Sequence, residues 1–397
     1  MKKGWQTQTI GDVCDLATGG TPSRAKPEYF GGHIKWLVSG DINQVEIFDC
    51  EGRITEAGKK NSNAKLLPVN SVMIALNGQG KTRGTVALLR TQATCNQSMV
   101  SISPKPSSGL LPEFLYANLH GRYEEIRRMT SDDDKDRRGL NMGLVRSIKI
   151  PIAPLAEQQR IVGLLDEAFE GLATAKANAE KNLQNARAFF ESHLQSVFTQ
   201  RGPGWVEKKV SEIAKHSLGK MLDKSKNKGE PQPYLRNINV RWFTFDLSDL
   251  LQMPFLPTEA EKYTAIKGDV LICEGGYPGR AAIWDEDYPI YFQKALHRVR
   301  FHEPELNKWF VYCLSVQDSS GQLKQHFSGT GIQHFTGEVL ARFLIPVPPL
   351  PELRRAVAKF DALSEETQRL ARLYERKQTA LDSLKKSLLH QAFTGAL

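Results

Sequence analysis

No run of apolar residues in this chain is long enough to cross a bilayer; Val270-Leu271-Ile272-Cys273 is typical of the longest. Behind the basic start (Lys2, Lys3) there is no apolar stretch of the kind a secretory signal needs, so the expected location is cytoplasmic, with no membrane role. Cysteine is scarce. The five residues (Cys14, Cys50, Cys95, Cys273, Cys313) are scattered, odd in number and never spaced C-x-x-C, which argues against a disulfide framework or a zinc site and for reduced thiols. Catalytic signatures are missing too: there is no G-x-S-x-G elbow, no H-E-x-x-H and no G-x-G-x-x-G behind a strand. His33, His120, His193, His297 and His390 are isolated and suit packing or capping better than a metal. Asp132-Asp133-Asp134 runs into Lys135-Asp136-Arg137-Arg138 and reads as a solvated mixed-charge loop. The expectation is a non-catalytic protein with no metal and no cofactor in this chain.

What is present is a soluble composition, 40% hydrophobic and 24% charged, over 397 residues, room for two or three domains. Lys and Arg number 53 against 44 Asp and Glu, a net charge of +9. A basic balance favours a polyanionic partner, because neutralised phosphates release counterions.

The chain is written twice. Ile150-Pro151-Ile152-Ala153-Pro154-Leu155-Ala156-Glu157 recurs as Ile345-Pro346-Val347-Pro348-Pro349-Leu350-Pro351-Glu352. Leu165-Asp166 aligns with Phe360-Asp361, and Phe198-Thr199 with Phe393-Thr394, all at an offset of about 195 positions. Leu111, Phe114, Leu115 and Leu119 fall on Leu306, Trp309, Phe310 and Leu314, and both halves open on Gly-Trp, at Trp5 and Trp205. A period this long means two copies of one domain-plus-helix unit. The predicted organisation is a first body over 1–153, a helix over 154–200, a second body over 201–349 and a second helix over 350–397.

The tails carry apolar residues at helical spacing. The first series is Ile161, Leu165, Ala168, Leu172, Ala175, Ala179, Leu183, Ala186, Phe190, Leu194, Val197; the second is Phe360, Leu363, Thr367, Leu370, Tyr374, Lys377, Leu381, Leu384, Leu388. Steps of three and four make a heptad seam. Each helix can run about 40 residues, roughly 60 Å. Such a helix needs a partner along its length, and the other tail is the available one, in an antiparallel coil. Two helices packed separately on their own bodies would leave the seams uncovered. The bodies read as β-rich, with related strands at 69–76 and 266–273 ending at glycines and short helices near 112–120 and 305–315. The fold class is α+β: two β-rich bodies in tandem, each followed by a long helix.

Ala75-Leu76-Asn77-Gly78-Gln79-Gly80-Lys81-Thr82 resembles a nucleotide-binding loop, but Ala75 stands where the first glycine belongs, and a strand-like stretch follows instead of a helix. The matching loop of the second half, Glu274-Gly275-Gly276-Tyr277-Pro278-Gly279-Arg280, lacks Gly-Lys-Thr. A glycine-rich turn that points cations at DNA fits both. Basic and amide residues gather outside the helices: Arg24, Lys26, Lys59, Lys60, Lys81, Arg83, Arg137, Arg138 and Asn141 in the first body, and Lys220, Lys224, Lys226, Arg236, Asn239, Arg241 and Arg280 in the second. Arg and Lys suit phosphates and guanine edges; Asn and Gln suit adenine. The rival readings are a P-loop ATPase or nuclease, and a coiled-coil scaffold whose bodies bind protein.

The first half resembles the specificity subunit of Type I restriction–modification systems. The resemblance rests on Gly19-Gly20-Thr21-Pro22-Ser23, on Tyr29-Phe30-Gly31-Gly32-His33-Ile34-Lys35-Trp36-Leu37, on Ile54-Thr55-Glu56-Ala57-Gly58 and on Asn61-Ser62-Asn63-Ala64-Lys65-Leu66-Leu67-Pro68. The family's Ile-Pro-x-Pro-Pro-Leu-x-Glu-Gln signature matches 150–158 except for Ala153, while the second copy has Leu353 in place of Gln158. In the second body the resemblance is carried by Gly329-Thr330-Gly331-Ile332-Gln333-His334, which adds Gln333 and His334 to the candidates. The resemblance implies that each body is a target-recognition domain reading one half of a bipartite double-stranded DNA site. It implies helices that form an antiparallel coil, fix the spacer and dock two methyltransferase subunits, with Ile161, Leu165, Leu172, Leu183, Phe190, Phe360, Leu363, Leu370, Leu381 and Leu388 as the coiled-coil and docking residues. It further implies two restriction subunits, with S-adenosylmethionine, ATP and Mg on those partners.

Overall fold

The computed structural model describes residues 4–78, 81–130, 139–223, 225, 227–329, 331 and 333–397. The chain forms two compact units, Met1–Ala179 with Glu375–Leu397, and Glu180–Tyr374.

In the first unit a five-stranded sheet runs in the order Cys14–Thr18, Met99–Pro104, Val72–Ala75, Val86–Leu89, Glu46–Ile47. A three-stranded sheet of Arg53–Ile54, Phe30–Leu37 and Thr94–Cys95 covers one face. The strand Val72–Ala75 reads as an unbroken apolar run because both its faces are covered. Val72 and Ile74 pack with Phe114 and Leu115 of the helix Pro112–Gly121, whereas Met73 and Ala75 pack with Leu37, Ile42 and Cys95.

The second unit repeats this plan with a four-stranded sheet, Ala214–Leu218, Leu296–Phe301, Val270–Cys273, Ala281–Ile283. Its companion sheet is Leu251–Phe255, Glu230–Leu235, Ile290–Phe292, Thr264–Ala265. Val270 and Ile272 face Trp309 and Phe310 of the helix Leu306–Ser319; Leu271 and Cys273 face Leu235 and Trp284.

The repeated Ile-Pro motif is the return strand of each body. Lys149–Ile152 pairs antiparallel with Gln6–Thr9, and Leu344–Val347 with Val206–Lys209. Proline is tolerated there because each ribbon has only two strands. Gln158 then staples the first helix to its body. It is fully buried, its Oε1 accepts from the Leu111 amide at 2.9 Å, and its Nε2 donates to the carbonyls of Gly109 and Ala153 at 2.9 and 2.8 Å. Leu353, at the same place in the second copy, joins the apolar core instead.

The long helices are Leu155–Thr199 and Leu350–Thr394, 45 residues each. Within each unit their segments run antiparallel. In the first, Arg160 donates to the Leu397 carbonyl at 3.0 Å and Lys176 pairs with Asp382 at 3.3 Å; in the second, Phe198 and His193 both lie against Phe360. Every residue of the first apolar series is buried or half-buried. The second series departs in its second half, where Lys377 and Leu384 are exposed (Leu384 at 48%) and Gln378, Lys385 and Leu389 turn inward instead. An α-helix gains about 20° per heptad on a strict seven-residue repeat, so a straight stretch moves its seam by one position.

Each body is clamped by the last turns of the helix that belongs to the other repeat. In the first unit Phe393 meets Phe114 at 5.1 Å, and Trp5 meets the same ring at 6.1 Å. In the second, Phe198 meets Trp309 at 4.5 Å, Trp205 meets it at 5.6 Å, and the Trp309 indole donates to the Pro346 carbonyl at 2.7 Å. Phe198 and Phe393 hold matching places in the repeat, as do Phe114 and Trp309. Among the described residues no helix is long and apolar enough to cross a membrane.

Candidate nucleic-acid interface

In each body, loops from successive strands meet at one end of the main sheet. The strand Cys14–Thr18 leaves into 19–26, Val72–Ala75 leaves into 76–78, and Met99–Pro104 is entered from 96–98. Backbone hydrogen bonds tie them together. The Gly20 amide donates to the Cys95 carbonyl at 2.9 Å, the Leu76 amide to Ser98 at 2.8 Å and the Leu140 amide to Leu76 at 2.9 Å, while Thr21 meets Gln97 at 2.6 Å. Gly19 is required because a Cβ there would lie 1.7 Å from the Cys95 carbonyl oxygen.

The second body builds the same ridge. The Lys220 amide donates to Phe292 at 3.2 Å, Glu274 to Ala295 at 2.8 Å and Phe335 to Glu274 at 2.7 Å. Gly84 and Gly279 close the central loop in both, at φ +83° and +84°, where a side chain would be strained. Their amides donate to the carbonyls of Ala75 and Cys273 at 2.9 Å. The scaffold is thus shared, and the tips differ in length and chemistry.

Lys81 and Thr82 lie on the return of a hairpin. Residues 81–85 lead into the strand Val86–Leu89, which pairs back on Val72–Ala75, so Lys81 does not stand at a helix N-terminus. The loop is braced from below. The Tyr123 hydroxyl donates to the Lys81 carbonyl at 2.9 Å and accepts from Arg127 at 2.7 Å.

In the first body the ridge loops carry Arg24, Lys81, Arg83 and Asn141. Arg24 and Lys81 are exposed, and among the described residues their side chains make no hydrogen bond or ion pair. Arg83 is half-buried, and its Nε is buried without a partner among the described residues. Asn141 is occupied: its Oδ1 accepts from the Leu144 amide at 2.9 Å and caps the helix Met142–Ser147. Lys26 donates to the Tyr29 hydroxyl at 3.2 Å, a bond that raises its pKa above the usual lysine value. Lys59 pairs with Glu56 at 2.8 Å, while Lys60 is exposed on a polar groove with Gly20, Asn61, Asn63 and Gln97. Arg137, Arg138, Lys224 and Lys226 lie outside the described residues.

In the second body His334 lies beside the loop that carries Arg280. His334 lies against Gly275, and its backbone pairs with Ser328 in both directions at 2.9 Å, which leaves Gln333 exposed at the turn. Three of the expected contacts are engaged inside the fold. Lys220 is only 7% exposed; its ammonium donates to Glu259 at 2.6 Å and to the Pro254 carbonyl at 2.9 Å, over the Phe255 ring. Asn239 is buried; it accepts from the Arg236 amide at 2.9 Å and donates to the carbonyls of Asp246 and Asp249, so no edge is left for a base. Arg236 is bound to Asp249 through both the carboxylate, at 2.7 Å, and the carbonyl, at 2.8 Å. Arg241 remains exposed, bridging the Ile238 carbonyl and Asp246 at the neighbouring turn.

The ridges also carry Asn237, which the sequence places in the same basic and amide cluster as Arg236 and Asn239, and Tyr277, Gln97 and Lys294, which the sequence candidates did not include. The signal was available in the repeat: 96–98 and 293–295 are equivalent turns, visible once the strands that follow them are aligned. The five cysteines are free and buried, and burial pushes Cys14, Cys95 and Cys313 up to about 12, which leaves the thiols protonated.

Two tandem α+β bodies that share a loop scaffold but carry different tips define a double recognition module. The profile of the Type I restriction modification DNA specificity domain matches residues 2–183 and again 203–375. The chain belongs to this family, whose members are DNA-recognition subunits of Type I restriction–modification systems. It is 30% identical to the EcoR124I/EcoR124II specificity subunit of Escherichia coli over 162 residues, which is 40% of either chain. It is 23% identical to the MjaIX specificity subunit of Methanocaldococcus jannaschii over 390 residues, 89% of this chain and 85% of that one. Its fold is similar to a chain of a solved type I R-M assembly (TM-score 0.79, 19% identity, 100% and 99% of the two chains). It is also similar to the HsdS subunit of Thermoanaerobacter tengcongensis (TM-score 0.70, 20% identity, 100% and 98%).

Proposed function

We propose that each body reads one half of a bipartite duplex DNA site through its loop ridge. The long helices set the unspecified gap and dock two methyltransferase subunits, which modify adenine with S-adenosylmethionine. In the full complex two restriction subunits supply ATP- and Mg-dependent translocation and cleavage; this chain contributes recognition and no chemistry.

The observation that carries this reading is the repeated ridge. The same backbone hydrogen bonds recur in both bodies, while the tips hold Lys81 and Arg83 in one and Tyr277 and Arg280 in the other. A common scaffold with unlike tips is what two different half-sites require, since phosphate contacts position a protein and base contacts specify it. Free cations at the tips supply the first kind of contact, and planar or amide groups the second.

The test is expression of this chain with its neighbouring methyltransferase in a host free of other methylation, followed by genome-wide mapping of modified adenines. The expected result is a split motif, two short half-sites around a fixed gap. A stable complex that modifies a single continuous motif, or none, overturns the reading.

A further inference from the structure

The second ridge carries an aromatic–guanidinium pair that the fold itself holds in place. Tyr277 is 62% exposed, and the Arg280 guanidinium lies 4.0 Å from its ring centroid. Arg280 Nη2 donates to the Asn237 carbonyl at 3.0 Å, and Asn237 Nδ2 donates to the Gly275 carbonyl at 3.0 Å. No carboxylate of the described residues stands within ion-pair distance of Arg280, so its charge is unneutralised; the anchor occupies one of its five N–H groups and Nε is buried without a partner among the described residues, which leaves the other Nη donors.

Such an arrangement is more than a phosphate contact needs. A phosphate requires only charge, which a lysine on a flexible stem provides, as Lys81 does at the equivalent loop of the first body. A guanidinium held flat by an aromatic ring offers in-plane donors at fixed spacing, the geometry that matches O6 and N7 of guanine in the major groove. Among the described residues the first body has no counterpart: Thr82 stands at the Tyr277 position, in a loop three residues longer between the same backbone bonds.

We propose that Tyr277 and Arg280 form the base-reading pair of the second half-site, with Arg280 contacting a guanine and Tyr277 positioning the guanidinium. This rests on the reading of the second body as a DNA-recognition domain.

The experiment uses the complex of this chain with its methyltransferase and compares modification motifs of Tyr277→Phe, Tyr277→Ala and Arg280→Lys with the wild type. Phenylalanine keeps the ring and should keep the motif. Tyr277→Ala and Arg280→Lys should relax one guanine position of the second half-site, with discrimination there falling about tenfold to a hundredfold. The first half-site should not change. Tyr277 is exposed, so Tyr277→Ala should melt like the wild type. A motif unchanged at every position, or a uniform loss of modification with no change in base preference, overturns the proposal and leaves the bipartite reading standing. A wild-type complex without a split motif removes that reading, and this one with it.

Discussion

Removing the Phe198 ring should weaken the second unit and spare the first. Phe198 is 8% exposed and meets Trp309 at 4.5 Å and Phe360 at 6.1 Å. Burying a phenylalanine removes roughly 150–200 Å² from water, worth about 4–5 kcal/mol at 25 cal/mol per Å², and alanine retains about 1 kcal/mol of that. The loss of ring–ring packing and a partly collapsed cavity push the cost the other way, so Phe198→Ala should cost about 3–5 kcal/mol. For a unit of this size the melting transition should fall by about 10 °C. Hydrogen exchange gives the location. Protection should drop in the helix Leu306–Ser319 and the strand Leu344–Val347, and hold in Val72–Ala75 and Met99–Pro104. A cost under about 1 kcal/mol, or equal loss of protection in both units, would refute the clamp.

Three further expectations use other parts of the molecule. Gln158→Ala should cost about 2–3 kcal/mol in urea unfolding, since it strands one buried amide and two carbonyls at about 1 kcal/mol each; an unchanged midpoint contradicts the staple. Lys81→Ala with Arg83→Ala should lower duplex affinity for all sequences and reduce the slope of log K against log salt by about one for each phosphate no longer neutralised. Relaxation of the first half-site would instead make them base readers, and an unchanged affinity, slope and motif would remove them from the interface. His297 is buried near His216, and burial lowers its pKa to about 4 from the usual 6.5. A histidine lowered in the folded state contributes stability that is complete above pH 6.5 and is lost as pH falls toward 4. Relative to the wild type, His297→Leu should therefore gain stability between pH 7 and 4.5; a constant difference across that range excludes the linkage.

The repeat and the helices were legible because they rest on periodicity. Ile150 with Ile345, and Phe198 with Phe393, mark matching places, and the first apolar series is buried or half-buried throughout. The second series failed only where the seam drifted, at Lys377 and Leu384. The ridges were half legible. Glycine loops announced the turns, but a cation or amide in a variable body has the same letter whether it faces DNA or ties down the fold. Lys220 and Asn239 do the latter. Asn239 could have been recognised by alignment with Asp41, because both accept from the amide three residues back, at Arg236 and Val38. Lys220 occupies the place of Gly20, and nothing in the sequence marks Glu259 as its partner.

The most direct test of the central claim is to shorten the helices by one heptad each, deleting 172–178 and the antiparallel counterpart 379–385, and to map the adenines modified by the complex. The deletion keeps the seam in phase and removes about 10 Å of helix, close to three base pairs. Both half-sites should stay unchanged and the gap between them should be shorter. An active complex whose gap keeps its wild-type length would contradict that claim.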